Sequence, residues 1–429
     1  MVAIKHLSIS RHLAHSGHQH STVGLVCTLL LAMSLLPISC LAGSAKHSPE
    51  VNAGPSPEKI DPDTLKRTVA DYSRWIDELE ASGRVSGLST AIVSGNKVLL
   101  EKSIGLADVR TGEPVKPETV FRIASLSKAF SSALAALLVR DGLVDWNTRL
   151  ADVLTYFKLR SNRATEHMTL RDILSHRTGL PHNTFDHKLE DDVPYQELVR
   201  DLDKVRLTCA VGECYSYQNV AFSMFGDLVY AVTGDFFNHQ VEKRLFQPLH
   251  MKTATYGRLA LEDSKSWARP HLREHGHFVT LVPKPNYYWV SPAAGVNASI
   301  RDLEKWLSAQ MSEDPEVLPY DVLAELHEPV VNTPGQTRFS RWRRVRLRRA
   351  GYALGWRVLD YAGHTLVFHA GAVEGYRAMI GFLPEYRLGV VMLWNCNCKA
   401  PAGLMPMFLD SVLGLPAVNW ARLKPRPQG

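Results

Sequence analysis

Ser125 and Lys128 stand three residues apart at the head of a run, 129–139, that contains almost nothing polar. A helix apolar all round is buried, so this spacing puts a hydroxyl and an amine on one face at the mouth of a buried helix. The unpaired N–H groups and positive pole of that end favour developing negative charge. An amine kept from water gives up its proton more readily, and a neutral amine can take the proton of a serine that attacks a carbonyl. The spacing itself is cheap: it recurs from Ser56 to Lys59 and from Ser94 to Lys97. The first lies in a proline-rich linker and the second beside a Gly95-Asn96 turn, where no rigid element fixes two groups. On its spacing and helix alone, Ser125 is as readily a helix N-cap as a nucleophile.

Such chemistry needs a second polar pair to pass protons on and a strand edge to receive the substrate. Tyr217 with Asn219, and His369 with Gly371, are the candidates.

The surrounding elements follow from periodicity. Leu65, Val69, Tyr72, Ile76 and Leu79 predict an amphipathic helix over 64–82. Two strands, 88–94 and 97–106, flank the Gly95-Asn96 turn. Gly142 ends the buried helix, and a more helical region runs to about 290, with helices at 168–174, 222–232 and 236–245 and an irregular, cleft-rimming stretch at 262–288. Strands at 353–359, 364–369, 376–383 and 388–394 are joined by short turns and should pair antiparallel, and a last helix spans 403–413. The expected class is α/β (α+β): an antiparallel sheet lobe, about 64–145 and 291–415, flanked by helices and interrupted by an all-α lobe at about 146–290, within one domain over 64–425.

Composition, 45% hydrophobic and 21% charged over 429 residues, is that of a globular protein with a large core. The formal charge of +6 falls to +4 once Lys5 and Arg11 leave with a leader, too mild to argue for nucleic acid. Residues 1–42 read as an export signal cut after Ala42, with an uncleaved anchor or a Cys40 lipoprotein as alternatives. Residues 43–63 read as a proline-rich linker. Localisation is accordingly periplasmic or extracellular. Four cysteines then remain in an oxidising compartment; Cys209 with Cys214 is the easiest pairing, and Cys396-Asn397-Cys398 is too tight to close without strain. No histidine at suitable spacing supports a zinc site. Arg338, Arg341, Arg343, Arg344, Arg346, Arg348 and Arg349 read as an edge strand with a solvated basic face, or as a surface for anionic envelope polymers.

Ser125-x-x-Lys128, Tyr217-x-Asn219 and His369-x-Gly371, in that order, resemble the three motifs of the serine β-lactamase-related family, which holds class C β-lactamases, D-alanyl-D-alanine carboxypeptidases, D-aminopeptidases and related esterases. The stretches 174–181, 246–253 and 292–296 are similar to recurring segments of that family, and the likeness covers about 65–415. It implies a β-lactamase/transpeptidase-like fold and an acyl-enzyme formed on Ser125, with Lys128 and Tyr217 sharing the proton. It further implies that Asn219 holds Lys128 and a substrate amide, and that the N–H groups of Ser125 and Ala372 form an oxyanion hole. His369 would pair with a substrate carboxylate when protonated, and Gly371 would let substrate backbone approach. Two positions depart from the pattern. His250 stands where the family usually has glycine, a left-handed position that histidine tolerates. His369 stands where class C β-lactamases carry lysine, which points to the peptidase and esterase branches. The resemblance thus implies a hydrolase without metal or cofactor acting on D-alanyl cell-wall peptides ahead of esters and β-lactams. A slowly deacylating penicillin-binding sensor or a non-catalytic envelope protein is the reading from another class.

Overall fold

The computed structural model describes residues 55–424. The leader and its alternatives lie outside the described residues, as does the linker up to residue 54.

The alternating apolar residues build a sheet buried on both faces. Its strands are β1 (Gly87–Ser94), β2 (Lys97–Asp108), β3 (Glu113–Pro114), β4 (Val331–Asn332), β5 (Leu347–Tyr352), β6 (Arg357–Tyr361), β7 (His364–Val373), β8 (Tyr376–Leu383) and β9 (Leu388–Trp394). They lie in the order β3-β2-β1-β9-β8-β7-β6-β5-β4 with antiparallel neighbours. On β1, Leu88 and Ile92 join one core while Ala91 and Val93 join the other. That is the period of two expected of a strand.

Each core has its helices. Against one face pack α1 (Pro62–Ala81) and α5 (Leu404–Val412), with Tyr72 set edge-on to Phe408 at 5.8 Å. Against the other lie α2 (Ser127–Arg140) and α4 (Ile300–Gln310), where Phe130 stacks on Trp306 at 3.9 Å. Every residue of α2 from Ser127 to Leu138 is buried, as its uniform apolarity predicts. α1 starts earlier than its periodicity suggests, because Pro62 fits the first helical position and Asp61 caps it by accepting from the Thr64 N–H. α3 (Val220–Thr233) belongs to the intervening helical region.

Three expectations are corrected. The 262–288 stretch is not wholly irregular: His271–Glu274 and His277–Thr280 pair as a hairpin. The arginine run is not one edge strand, since it crosses a helix, Arg341–Arg346, and ends on β5. Arg343 is buried and Arg346 pairs with Asp410 at 2.8 Å, so only part of the run faces solvent. Cys396 and Cys398 are joined to each other, their Cα atoms 5.2 Å apart, whereas the Cys209–Cys214 pairing is as expected. His250 does adopt the left-handed conformation, at φ 55°.

Candidate active site

The segment before α2 is held from both sides. Phe121–Arg122 pairs with Val296–Ala298, and the Ile123 N–H donates to the Val296 carbonyl at 3.1 Å. The chain then turns sharply through Ala124, whose φ of 51° is left-handed. A non-glycine residue there costs about 1–2 kcal/mol, and the tight turn Ala124–Leu126 that follows presents Ser125. Ser125 is the one residue from Phe121 to Phe130 that is not fully buried. Its neighbour Ser127 locks the turn, donating to the Ala124 carbonyl at 2.6 Å and accepting from the Val296 N–H at 3.0 Å.

Lys128 is buried. Its Nζ donates to Asn219 Oδ1 at 2.7 Å and to the Ala293 carbonyl at 3.1 Å. The short helix Ser291–Ala294 supplies that carbonyl and also the Pro292 carbonyl bonded by Ser131 at 2.6 Å. Burial without a carboxylate in contact holds the Lys128 amine well below its ordinary value. The Asp186 charge works against the shift and Arg357 reinforces it.

The Tyr217-Gln218-Asn219 loop is framed by the 174–183 turn. Gln218 N–H donates to His176 Nδ1 at 3.2 Å, Asn183 N–H to the Tyr217 carbonyl at 2.8 Å, and Gln218 Nε2 to the Pro181 carbonyl at 2.5 Å. Gly179 is required there: at φ 76°, a Cβ would lie 2.5 Å from the Cys209 carbonyl oxygen. Burial holds the Tyr217 hydroxyl above the usual phenol range, with the Arg357 charge and an interaction with Ser125 working against that rise.

Strand β7 closes the far side. Its pairing with β6 stops at Phe368, opposite Arg357, so β6 leaves the edge of 369–373 unpaired. Gly371 brings that edge onto the serine turn: a Cβ would fall 2.1 Å from the Ile123 oxygen and 3.2 Å from the Ser125 nitrogen. Ala372, the next residue, is exposed.

His369 is buried, and its bonds fix its tautomer. Because His176 Nδ1 accepts from Gln218, His176 Nε2 must donate, and it meets the Tyr352 hydroxyl at 3.1 Å. That hydroxyl then donates to His369 Nε2 at 3.3 Å, and His369 Nδ1–H donates to the Ala370 carbonyl at 3.0 Å. Burial first, then the Arg357 charge, holds His369 well below its ordinary value. This arrangement uses the ring in its neutral form, whereas the expectation has His369 pair with a substrate carboxylate when protonated.

The family model described as Beta-lactamase matches residues 72–409, and every residue just placed lies inside that span. The chain belongs to the Beta-lactamase family.

This Beta-lactamase-family chain, a member of a family of serine hydrolases, is 28% identical to unguisins hydrolase ungD' of Aspergillus campestris, over 76% of this chain and 61% of that protein. It is 26% identical to protein flp of Staphylococcus aureus strain MRSA252, over 74% and 61%. The chain thus spans about three fifths of the length of these curated relatives. Its fold is β-lactamase/transpeptidase-like: the structure of the octameric penicillin-binding protein homologue from Pyrococcus abyssi superposes with a TM-score of 0.72 at 24% identity, covering 81% of this chain and 78% of that one.

Three residues of this candidate site carry no sequence signal of their own. Asp186 accepts from Asn219 Nδ2 at 2.7 Å. Tyr352 joins His176 to His369. Arg357 sets its guanidinium 5.5 Å from the Tyr217 ring and donates to the Tyr215 hydroxyl at 3.0 Å. Among the described residues, no three His, Cys, Asp or Glu side chains stand together as a metal site.

Proposed function

We propose that this chain hydrolyses amide bonds through an acyl-enzyme on Ser125, with D-alanyl peptides bearing a free carboxylate as its substrates. The observation that carries this is the pairing of a reachable serine, one helical turn away, with a buried lysine whose acceptors are all uncharged. Ser125 Oγ attacks the carbonyl carbon while its proton passes through the Tyr217 hydroxyl to the Lys128 amine. The lowered Lys128 value and the raised Tyr217 value fit the amine as the resting place of the proton and the phenol as its carrier. The oxyanion sits between the N–H groups of Ser125 and Ala372, each such donor being worth about 3 kcal/mol in typical enzymes. Collapse breaks the C–N bond, the leaving amine takes the proton back, and water repeats the sequence on the ester.

Arg357 supports the carboxylate-bearing substrate. Among the described residues it has no acid partner, and it lies over the Tyr217 ring. A guanidinium left without a carboxylate beside a reactive serine fits an anionic group of the substrate.

A fluorophosphonate or fluorescent penicillin probe should label the protein, and Ser125→Ala should abolish labelling. Undiminished labelling of that variant sinks the proposal. Turnover of a D-Ala-D-Ala peptide, a p-nitrophenyl ester and nitrocefin, measured side by side, should rank the peptide first; acylation without turnover of any of them points instead to a sensor.

A further inference from the structure

Asn219 faces two ways. Its Oδ1 accepts from Lys128 Nζ and its Nδ2 donates to Asp186 Oδ2, both at 2.7 Å, so a carboxyl, an amide and an amine stand in one line. The other carboxyl oxygen, Asp186 Oδ1, is shut off from solvent and has no hydrogen-bond partner. An acid serving only to cap its helix would turn its oxygens to backbone N–H groups. Asp186 instead spends one oxygen on the amide that grips Lys128.

We propose that Asp186 is a positioning residue which, through Asn219, orients Lys128 and tunes the charge that Lys128 carries. The inference rests on the acyl-enzyme reading above, in which Lys128 must be neutral to receive the serine proton. Accepting from Nδ2 fixes the amide with its oxygen toward the amine, since the reversed amide would set N–H against N–H. An ionised Asp186 also favours a protonated Lys128, and it is the acid that acts on this amine; Arg357 acts in the opposite sense. Around Asp186 itself stand Asn219, Lys128, Glu190 and His187, with Tyr287 and Tyr217 facing it from their own segments. Burial pushes the Asp186 carboxyl up to about 6. Its charge therefore changes within the range where such enzymes work, and the readiness of Lys128 to accept a proton changes with it.

The test is the rate of fluorophosphonate labelling of the whole protein from about pH 5 to about pH 9. D186N keeps an acceptor for Asn219 and removes the charge. Its acid limb should lie about one pH unit below that of the unaltered protein, which reads as about tenfold faster labelling on that limb. D186S is a second uncharged variant and should move the limb the same way, so a failure of either to fold leaves the other to decide. D186E keeps the charge, and its limb should stay with the parent. A limb that does not move in the uncharged variants, or labelling reduced by one factor at every pH, overturns the proposal and leaves Asp186 a structural residue. Because Ser125→Ala loses labelling outright if the acyl-enzyme reading holds, failure of that reading is seen separately.

Discussion

The Tyr352 hydroxyl donates to Nε2 of His369 at 3.3 Å, and it is free to do so because it has already received the Nε2–H of His176 at 3.1 Å. One phenol thereby ties the turn behind the Tyr217 loop to the strand that faces Ser125. It also settles the character of the third motif: where a lysine would offer a cation, this chain offers a buried, neutral imidazole whose only remaining N–H points at its neighbour's carbonyl. The positive charge on this side of the site comes from Arg357 instead.

Tyr352→Phe should therefore do more than remove two hydrogen bonds. It leaves the His176 donor and the His369 acceptor buried without partners, and stranding such a group costs about 1–3 kcal/mol. Urea unfolding should show a loss of that size. A loss under about 0.5 kcal/mol, the range of an ordinary surface change, would remove the relay as a structural element.

Gly371→Ala separates the site from the fold. The added methyl would meet the Ile123 carbonyl oxygen, a backbone atom held by the pairing of its own N–H to Val296. The strand must retreat, carrying the Ala372 N–H with it, and losing one oxyanion donor slows chemistry by about a hundredfold or more. Probe labelling should fall that far. Gly381→Ala is the comparison on the adjacent strand, where the methyl meets the Met405 sulfur, the far part of a flexible side chain; it should label as the parent does.

Much of this was legible in the residues themselves. The uninterrupted apolar run of α2 required burial, and it separated Ser125 from the other two Ser-x-x-Lys spacings. Ser56 and Lys59 lie exposed in coil, while Ser94 and Lys97 flank the β1–β2 turn. Pairing carried the rest. Asp186, Tyr352 and Arg357 sit in stretches with no distinguishing spacing, and each matters only because folding sets it against segments far along the chain. His369 shows a related limit: a residue type carries its ordinary pKa, whereas burial, visible only in the fold, lowers it. The arginine run looked continuous because its interruption depends on Asp410, 64 residues beyond Arg346.

Arg357→Gln should discriminate between substrates. A charge-assisted bond to a carboxylate is worth about 1.5–3 kcal/mol, so KM for a peptide ending in a free carboxylate should rise about tenfold to a hundredfold. A neutral p-nitrophenyl ester has nothing to lose, and its kcat/KM should stay within about threefold. Equal losses on both would mean that Arg357 only holds Tyr215 and Tyr217 in place.

Acid stability supplies the last prediction. His327, partly buried against Trp356 and Phe382 and bonded to Gln310 Oε1 at 3.0 Å, is held by burial at about 3, below its ordinary 6.5. The unfolded chain therefore binds a proton that the native state refuses between those values. Its contribution to stability is complete above 6.5 and is lost as pH falls from there toward 3. Asp186, raised to about 6, and Glu304, raised to about 7, have the opposite sign: the native state holds their protons longer, so each favours the fold more as pH falls. These opposed groups flatten the overall profile, and the single histidine is read best by difference. His327→Gln keeps a side-chain donor and removes the titration. Between about pH 7.5 and about pH 5 the variant should lose about 1 kcal/mol less than the parent, after allowance for partial exposure, as read from urea midpoints at the two values. Parallel losses in the two proteins would show that His327 takes up its proton without unfolding.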